Sequence, residues 1–315
     1  MKEVEITRYI FAFLIFPGML FTLLVGLFST WVDRKVTARV QWRVGPPLMQ
    51  PLYDFVKLLG KETLIPAGGH RAVFLAAPIF GLVAAILVST ILWLANLWET
   101  SFIGDLIVVV YLLVVPSLAI MIGGMASGNP LAASGASREM KLILAYELPF
   151  LICLATVILK SGMSIKLVEI AKIPAIGSIS GSLAAVIALL CIQAKLGFVP
   201  FDVAEAETEI MAGPYIEYSG VPLAVFKLTQ AAMLFTLPVF LITIFLGGLN
   251  FSGWGILWTV LKYVAILVVI IVIKNTNPRV RIDQAVKFFW FYLTPVAVAA
   301  FVLAVLGQIL GIAWL

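Results

Sequence analysis

Apolar stretches long enough to cross a bilayer recur eight times along the chain, at roughly 9–31, 72–96, 104–126, 139–160, 178–199, 222–247, 255–274 and 287–312. About 20 apolar residues in a helix cover the ~30 Å hydrocarbon layer, so each stretch predicts a transmembrane helix. The gap after the first stretch holds a different pattern. Between Leu48 and Glu62, the residues Leu48, Leu52, Phe55, Val56 and Leu59 fall near a helical period, while the segment is too short and polar to span. It reads as an amphipathic helix lying in the interface. Pro17, Pro78, Pro116, Pro149, Pro238 and Pro295 fall inside the spans, where neighbouring helices or water satisfy the freed carbonyls. The sequence shows no convincing internal repeat, which argues against an inverted-repeat transporter. The expected fold is an all-α integral membrane protein of about eight transmembrane helices, forming one domain over residues 1–315.

Composition sharpens this reading. Of 315 residues, 63% are hydrophobic and 12% charged, against about half and a quarter in soluble domains. The net charge of +5 does not point to nucleic acid, because the cations sit in the gaps between spans, where they act as topology signals. The gaps after spans 1, 3, 5 and 7 hold fourteen Lys and Arg, and the opposite side holds five. The positive-inside rule therefore places the richer side in the cytoplasm and both termini outside. Cys153 and Cys191 lie in apolar runs and His70 is the only histidine, so no iron–sulfur or zinc motif is present. The first apolar run is too long for a signal-peptide core and is read as a true span.

Ten of the sixteen acidic residues also fall on the cytoplasmic side, although acidic residues contribute little to topology. They concentrate in Pro200-Phe201-Asp202-Val203-Ala204-Glu205-Ala206-Glu207-Thr208-Glu209. Asp202 and Glu205 form an acidic variant of a capping box and predict a short helix, with Glu205 and Glu209 on one face and Glu207 pointing away. Like charges at that spacing repel, and in a semi-buried site they raise one another's pKa, which suits groups that pass protons. A solvated acidic loop is the bland alternative, and the near absence of cations within the loop argues against it. Gly213 to Gly220, with Glu217, makes the return into the next span. Glu147, in Tyr146-Glu147-Leu148-Pro149, lies about ten residues into span 4, or ~15 Å deep. A carboxylate there must be protonated, paired or wet, which leaves either a structural Glu or a proton relay. Lys195 sits at the cytoplasmic end of span 5.

Two basic stretches complete the candidates. Arg34, Lys35, Arg39 and Arg43 precede a Gly-Pro-Pro turn, and read either as lipid anchors or as a docking platform for a peripheral protein. Arg279, Arg281 and Asp283 follow an Asn-Pro turn, and the arginines either snorkel or pair with the acidic loop.

These segments, in this order, resemble the complex I membrane subunit family known as NADH dehydrogenase subunit 1, or NuoH. The resemblance is carried by the (E/D)RK-x-x-A-R-x-Q-x-R-x-GP run at Asp33 to Pro46 and QP-L-x-D-x-x-K-L-x-x-KE at Gln50 to Glu62. Further on it is carried by Y-E-x-P at Tyr146 to Pro149, PFD-x-x-EAE-x-E at Pro200 to Glu209, E-Y-SG at Glu217 to Gly220 and PR-x-R-x-DQ at Pro278 to Gln284. Quinone-reducing members carry a longer loop before QP-L, where this chain has only Pro47-Leu48-Met49. They also read AE-x-NR before PFD, where this chain has Ala194-Lys195-Leu196-Gly197-Phe198. The pattern is more similar to the NuoH-like membrane subunit (M type) of group 4 membrane-bound nickel–iron hydrogenases and related sulfur-reducing complexes.

The resemblance implies a non-catalytic anchor and coupling subunit in a prokaryotic cell membrane. It implies hydrophilic partners of nickel–iron large and small subunit and ferredoxin-like type, holding a nickel–iron site and iron–sulfur clusters, together with antiporter-like membrane subunits; this chain itself would carry no cofactor. Glu205, Glu207, Glu209 and Glu217 would gather protons or ions, helped by Asp202 and Lys195, and Glu147 would carry charge to mid-membrane. Arg34, Lys35, Arg39 and Arg43 would contact the peripheral arm, while Arg279, Arg281 and Asp283 orient the acidic loop. The alternatives are a quinone-binding subunit of an NADH or F420H2 dehydrogenase and a stand-alone ion transporter.

Overall fold

The computed structural model describes residues 10–312 and Trp314; the N-terminal tail and the first residue of the first expected span lie outside that set. The architecture is all-helical. Met19–Val40 (α1) is followed by the short Gln50–Leu59 (α2), then by Arg71–Leu97 (α3), Asp105–Ala126 (α4) and Pro130–Lys160 (α5). Leu167–Ala171 (α6), Ile179–Lys195 (α7), the single turn Glu207–Ile210 (α8), Gly220–Phe245 (α9) and Gly255–Thr276 (α10) come next. Ile282–Lys287 (α11), a π-helical stretch at Phe288–Leu293 and Thr294–Leu310 (α12) form one continuous rod.

Seven helices among the described residues are long and apolar enough to cross a membrane, while α7 is apolar but shorter. The bundle is organised around α9, the most buried of the seven, which packs against α1, α3, α7 and α10. Small residues let the other helices approach closely, as membrane bundles require: Ala77, Ala84 and Ala85 are buried on α3, as are Ala184 and Ala188 on α7 and Ala297, Ala300 and Ala304 on α12. The outward faces of α10 and α12 remain apolar, with Leu257, Leu261, Val268, Val298 and Val302 exposed.

The structure moves two of the expected boundaries. Helix α1 continues to Val40, so Asp33, Arg34, Lys35 and Arg39 occupy helical turns rather than a loop. Pro17 does interrupt the first apolar run: residues 10–14 are helical, the chain bends over 15–18, and helix resumes at Met19. Helix α5 starts at Pro130, nine residues before the expected span. The side chain of Asn129 accepts from the Leu131 amide as N-cap, and proline suits the first helical position. Glu147 is therefore roughly 25 Å from the start of its helix, not ~15 Å, and stands near the midpoint of a 31-residue helix. The amphipathic element is realised as α2, where Leu52, Val56 and Leu59 face outward. Asp54 binds it to α1 by accepting from Arg34 at 2.6 Å.

Candidate functional site

The expected acidic helix does not form at Asp202. Residues 201–206 are irregular, and the only helical turn is α8, whose N-cap is Ala206 with no side-chain cap. Neither Asp202 nor Glu205 caps a helix, and Glu205 and Glu209 do not share a helical face. The reason is burial. Phe201, Val203, Ala204 and Ala206 are all buried against the bundle, and a regular helix from Asp202 would turn some of them outward. The acids separate accordingly. Asp202 and Glu205 are half-buried and point inward, whereas Glu207 and Glu209 are exposed.

Several of these acids have partners from distant elements, so cations absent from the loop itself reach it through the fold. Arg279 donates to the Asp202 carbonyl and its guanidinium lies 3.5 Å from the Asp202 carboxylate. The Val280 amide bonds the Pro200 carbonyl at 3.0 Å, fixing the last charged loop against the acidic one. Arg279 thus pairs rather than snorkels, while Arg281 and Asp283 are exposed. Glu205 accepts from Gln230 on α9 at 2.9 Å, and Lys227 donates to Gln230 at 3.0 Å. Arg138 holds Glu209 at 2.5 Å, and Asn129 donates to Glu217 at 2.6 Å, so Glu217 pins the return segment to the start of α5.

Burial sets the electrostatics. Removal from water pushes Asp202 up to about 7, the Glu205 charge adding to it and Arg279 opposing it. Glu205 is raised by burial against the pull of Lys227 and Gln230. Glu209 is lowered, mainly by its hydrogen bond from Arg138. Asp202 is therefore held close to the pH range where a group can both take and release a proton, and Glu205 is moved in the same direction.

Behind these acids lies a cavity of about 40 Å³ between α4, α5, α7 and α9, enough for a few waters. Asp202, Glu205, Glu139 and Lys195 all line it. From there the Lys195 ammonium reaches the carboxylate of Glu147 at 2.8 Å, with the lysine side chain 1% and the glutamate 19% exposed. The rings of Tyr146 and Phe150 flank the ammonium, each 5.0 Å away. Asp202, Glu205 and Lys195 thus line one cavity, and one ion pair joins Lys195 to Glu147. Glu207, Glu209 and Glu217 stand outside it.

Sequence reasoning missed several residues. Glu139, at the edge of the expected fourth span and given no role there, is buried on α5 at 6% exposure; the Asn129-Pro130 start signal places it well inside the helix. Gln230 and Lys227 carried no motif. Asp33 is buried and paired with Lys274 at 2.7 Å. Among the expected docking cations Arg34 is committed to Asp54, Lys35 is half-buried, and Arg39 and Arg43 are exposed beside Trp42, which is 98% exposed.

Residues 13–305 match the family described as NADH dehydrogenase. The chain is 34% identical over 306 residues to the NuoH subunit of NADH-quinone oxidoreductase from Geobacillus kaustophilus, covering 91% of each chain. It is 33% identical over 326 residues to the corresponding protein of Thermomicrobium roseum, covering 93% of this chain and 95% of the relative. Among solved structures it superposes, with a TM-score of 0.82 and 30% identity, on a chain of the archaeal membrane-bound sulfane sulfur reductase, described as a respiratory membrane complex. That match covers 90% of this chain and 96% of the other.

Proposed function

This chain belongs to the NADH dehydrogenase subunit 1, or NuoH, family, and from that premise we propose that it anchors the electron-transfer arm of a membrane-bound hydrogenase-like or sulfur-reducing complex and couples its redox events to proton or sodium movement. At the coarser level it is a multi-pass membrane subunit of a complex I-like respiratory complex. In the proposed arrangement α7 is an eighth span, both termini face outward, and the acidic turn faces the cytoplasm.

The observation that carries the reading is the polar link from Asp202 and Glu205, through the cavity, to the Lys195–Glu147 pair near the middle of α5. A buried ion pair of this kind is costly to desolvate and seldom stabilises a fold over an apolar substitute, and in membranes such groups mark ion pathways. The peripheral arm, with its nickel–iron and iron–sulfur centres, would sit over Arg39, Trp42 and Arg43. Antiporter-like subunits would cover the apolar flanks.

The test is ion pumping by the intact complex in proteoliposomes. Glu147→Gln is expected to abolish redox-driven pumping while the complex still assembles; undiminished pumping would remove Glu147 from the pathway. Copurified partners with bound nickel would support a hydrogenase-like arm.

A second reading, quinone binding, is favoured by the names of the relatives and by a cavity of about 230 Å³ between α1, α2 and α9, lined in part by Leu27, Phe55, Leu58 and Leu228. Inhibition of the purified complex by quinone analogues would favour it, and turnover insensitive to them would favour the first.

A further inference from the structure

The coupling route proposed above leaves Glu139 unused, although this buried acid lines the same cavity. Glu139 and Glu147 lie eight residues apart on α5, roughly 12 Å along the axis. Lys195, from α7, is linked to both: its ammonium binds Glu147, and it lines the same cavity as Glu139. A buried carboxyl, Glu139, and a part-exposed one, Glu147, thus stand on one helix with a single buried ammonium that binds Glu147.

Charge neutrality then dictates the state of the triad. With both carboxyls ionised the group carries a net negative charge in a water-poor interior, which is strongly disfavoured. With one proton bound the triad is neutral. The proton rests on whichever carboxyl lacks the ammonium, because the nearby cation favours ionisation of its own partner. In the geometry observed here Lys195 binds Glu147, so the proton belongs to Glu139. Ser117 of α4 is its hydrogen-bonding neighbour. The other polar groups at hand are Asp202 and Glu205 of the turn, Gln230 of α9, and Tyr146 and Cys191 beside Lys195.

We infer that Glu139 is a second proton-carrying residue, and that Lys195 alternates between Glu147 and Glu139 as the proton moves the other way. In one step the proton leaves the Glu139 carboxyl and ends on the Glu147 carboxylate, while the ammonium leaves Glu147 for Glu139. The triad stays neutral throughout, so no net charge is ever buried. The cycle closes when Glu147 passes its proton on to a neighbouring membrane subunit, Lys195 returns to the Glu147 carboxylate, and Asp202 or Glu205 delivers a proton to Glu139 through water in the cavity. The flexible four-carbon stem of lysine suits this motion.

The inference rests on the coupling role of Glu147, and its test keeps the two apart. Redox-triggered infrared difference spectra of the intact complex should contain the carbonyl stretch of a carboxylic acid changing its environment. Glu139→Gln should remove that band and abolish most of the ion movement per electron pair. Glu139→Asp should restore the band at a shifted position and recover most of the ratio, which a purely structural role would not predict. Lys141→Gln, an exposed change on the same helix, should alter neither. If Glu147→Gln abolishes pumping while Glu139→Gln leaves band and ratio intact, the inference falls and the coupling role of Glu147 stands. If neither variant changes the ratio, both fall. If Glu139→Gln does not assemble, Glu139→Asp decides: a wild-type band at the unshifted position overturns the inference.

Discussion

Asp33, near the end of α1, and Lys274, near the end of α10, meet at 2.7 Å although 241 residues separate them. The Lys274 ammonium also lies 4.4 Å from the ring centre of Phe198. Helix α10 packs mainly on α1 and α9 among the long helices and leaves most of its surface outward, so this pair fixes the C-terminal end of α10. Lys274→Met should cost about 3 kcal/mol, because it strands a buried carboxylate. Limited proteolysis should then cut the segment around Asn277 faster than in the parent. Asp33→Asn combined with Lys274→Met should recover part of the loss, and equal proteolysis of all three proteins would refute the role assigned to the pair.

The acidic turn should loosen as pH rises. Burial holds Asp202 at about 7, against an ordinary value of 3.8, and raises Glu205 as well. Between those two values the folded turn keeps a proton that the unfolded chain has released. Stabilisation from this group is therefore complete below 3.8 and is lost as pH climbs through about 7. Hydrogen exchange of residues 201–206, corrected for intrinsic rate, should be faster at pH ~8 than at pH ~5. Asp202→Asn should flatten the difference. Protection that increases with pH would contradict the sign.

Docking should depend on the tip of the first charged segment rather than on all four of its expected cations. Arg34 is engaged by Asp54, whose carboxyl is lowered chiefly by that hydrogen bond. Arg39 and Arg43 remain exposed beside Trp42. Arg39→Glu with Arg43→Glu should make the peripheral arm dissociate at lower salt, since exposed charges steer and hold partners in a screened, salt-dependent way. Arg34→Gln should instead act on α2, loosening the amphipathic helix before the arm is lost. Gel filtration across a salt series separates the two behaviours.

Seven of the expected spans and α2 were legible because each is set by a local pattern: a long apolar run, or one apolar stripe. The ends of α1 and α5 were not, because Asp33 to Val40 and Pro130 to Arg138 continue as helix on polar surfaces whose burial depends on neighbours. The N-cap at Asn129 was a readable signal and would have placed Glu139 within α5. The acids of the 202–209 stretch stand out in the sequence, but their sorting into inward Asp202 and Glu205 and outward Glu207 and Glu209 follows from tertiary packing of Phe201, Val203, Ala204 and Ala206. The same holds for Lys195 with Glu147 and Arg279 with Asp202, pairs formed across 48 and 77 residues. No local rule connects them.

The shape of that turn rests on two close backbone approaches, and these give the sharpest stability test. Gly213 has φ +51°, and a Cβ there would sit 2.0 Å from the Ala204 carbonyl oxygen. Gly135 on α5 faces the same spot, where a Cβ would come within 2.6 Å of Pro214 Cδ and 2.9 Å of the Ala204 oxygen. Backbone cannot yield as a flexible side chain does, so Gly213→Ala should cost about 1–3 kcal/mol and displace Ala204, next to Glu205. Gly177→Ala makes the fair comparison, since nothing lies within 4 Å of its added Cβ; it should leave the melting temperature almost unchanged. If the turn positions the inward acids, Gly213→Ala lowers both the melting temperature and the ions moved per electron pair. A variant that melts early yet couples fully would separate the shape of the turn from its part in proton movement.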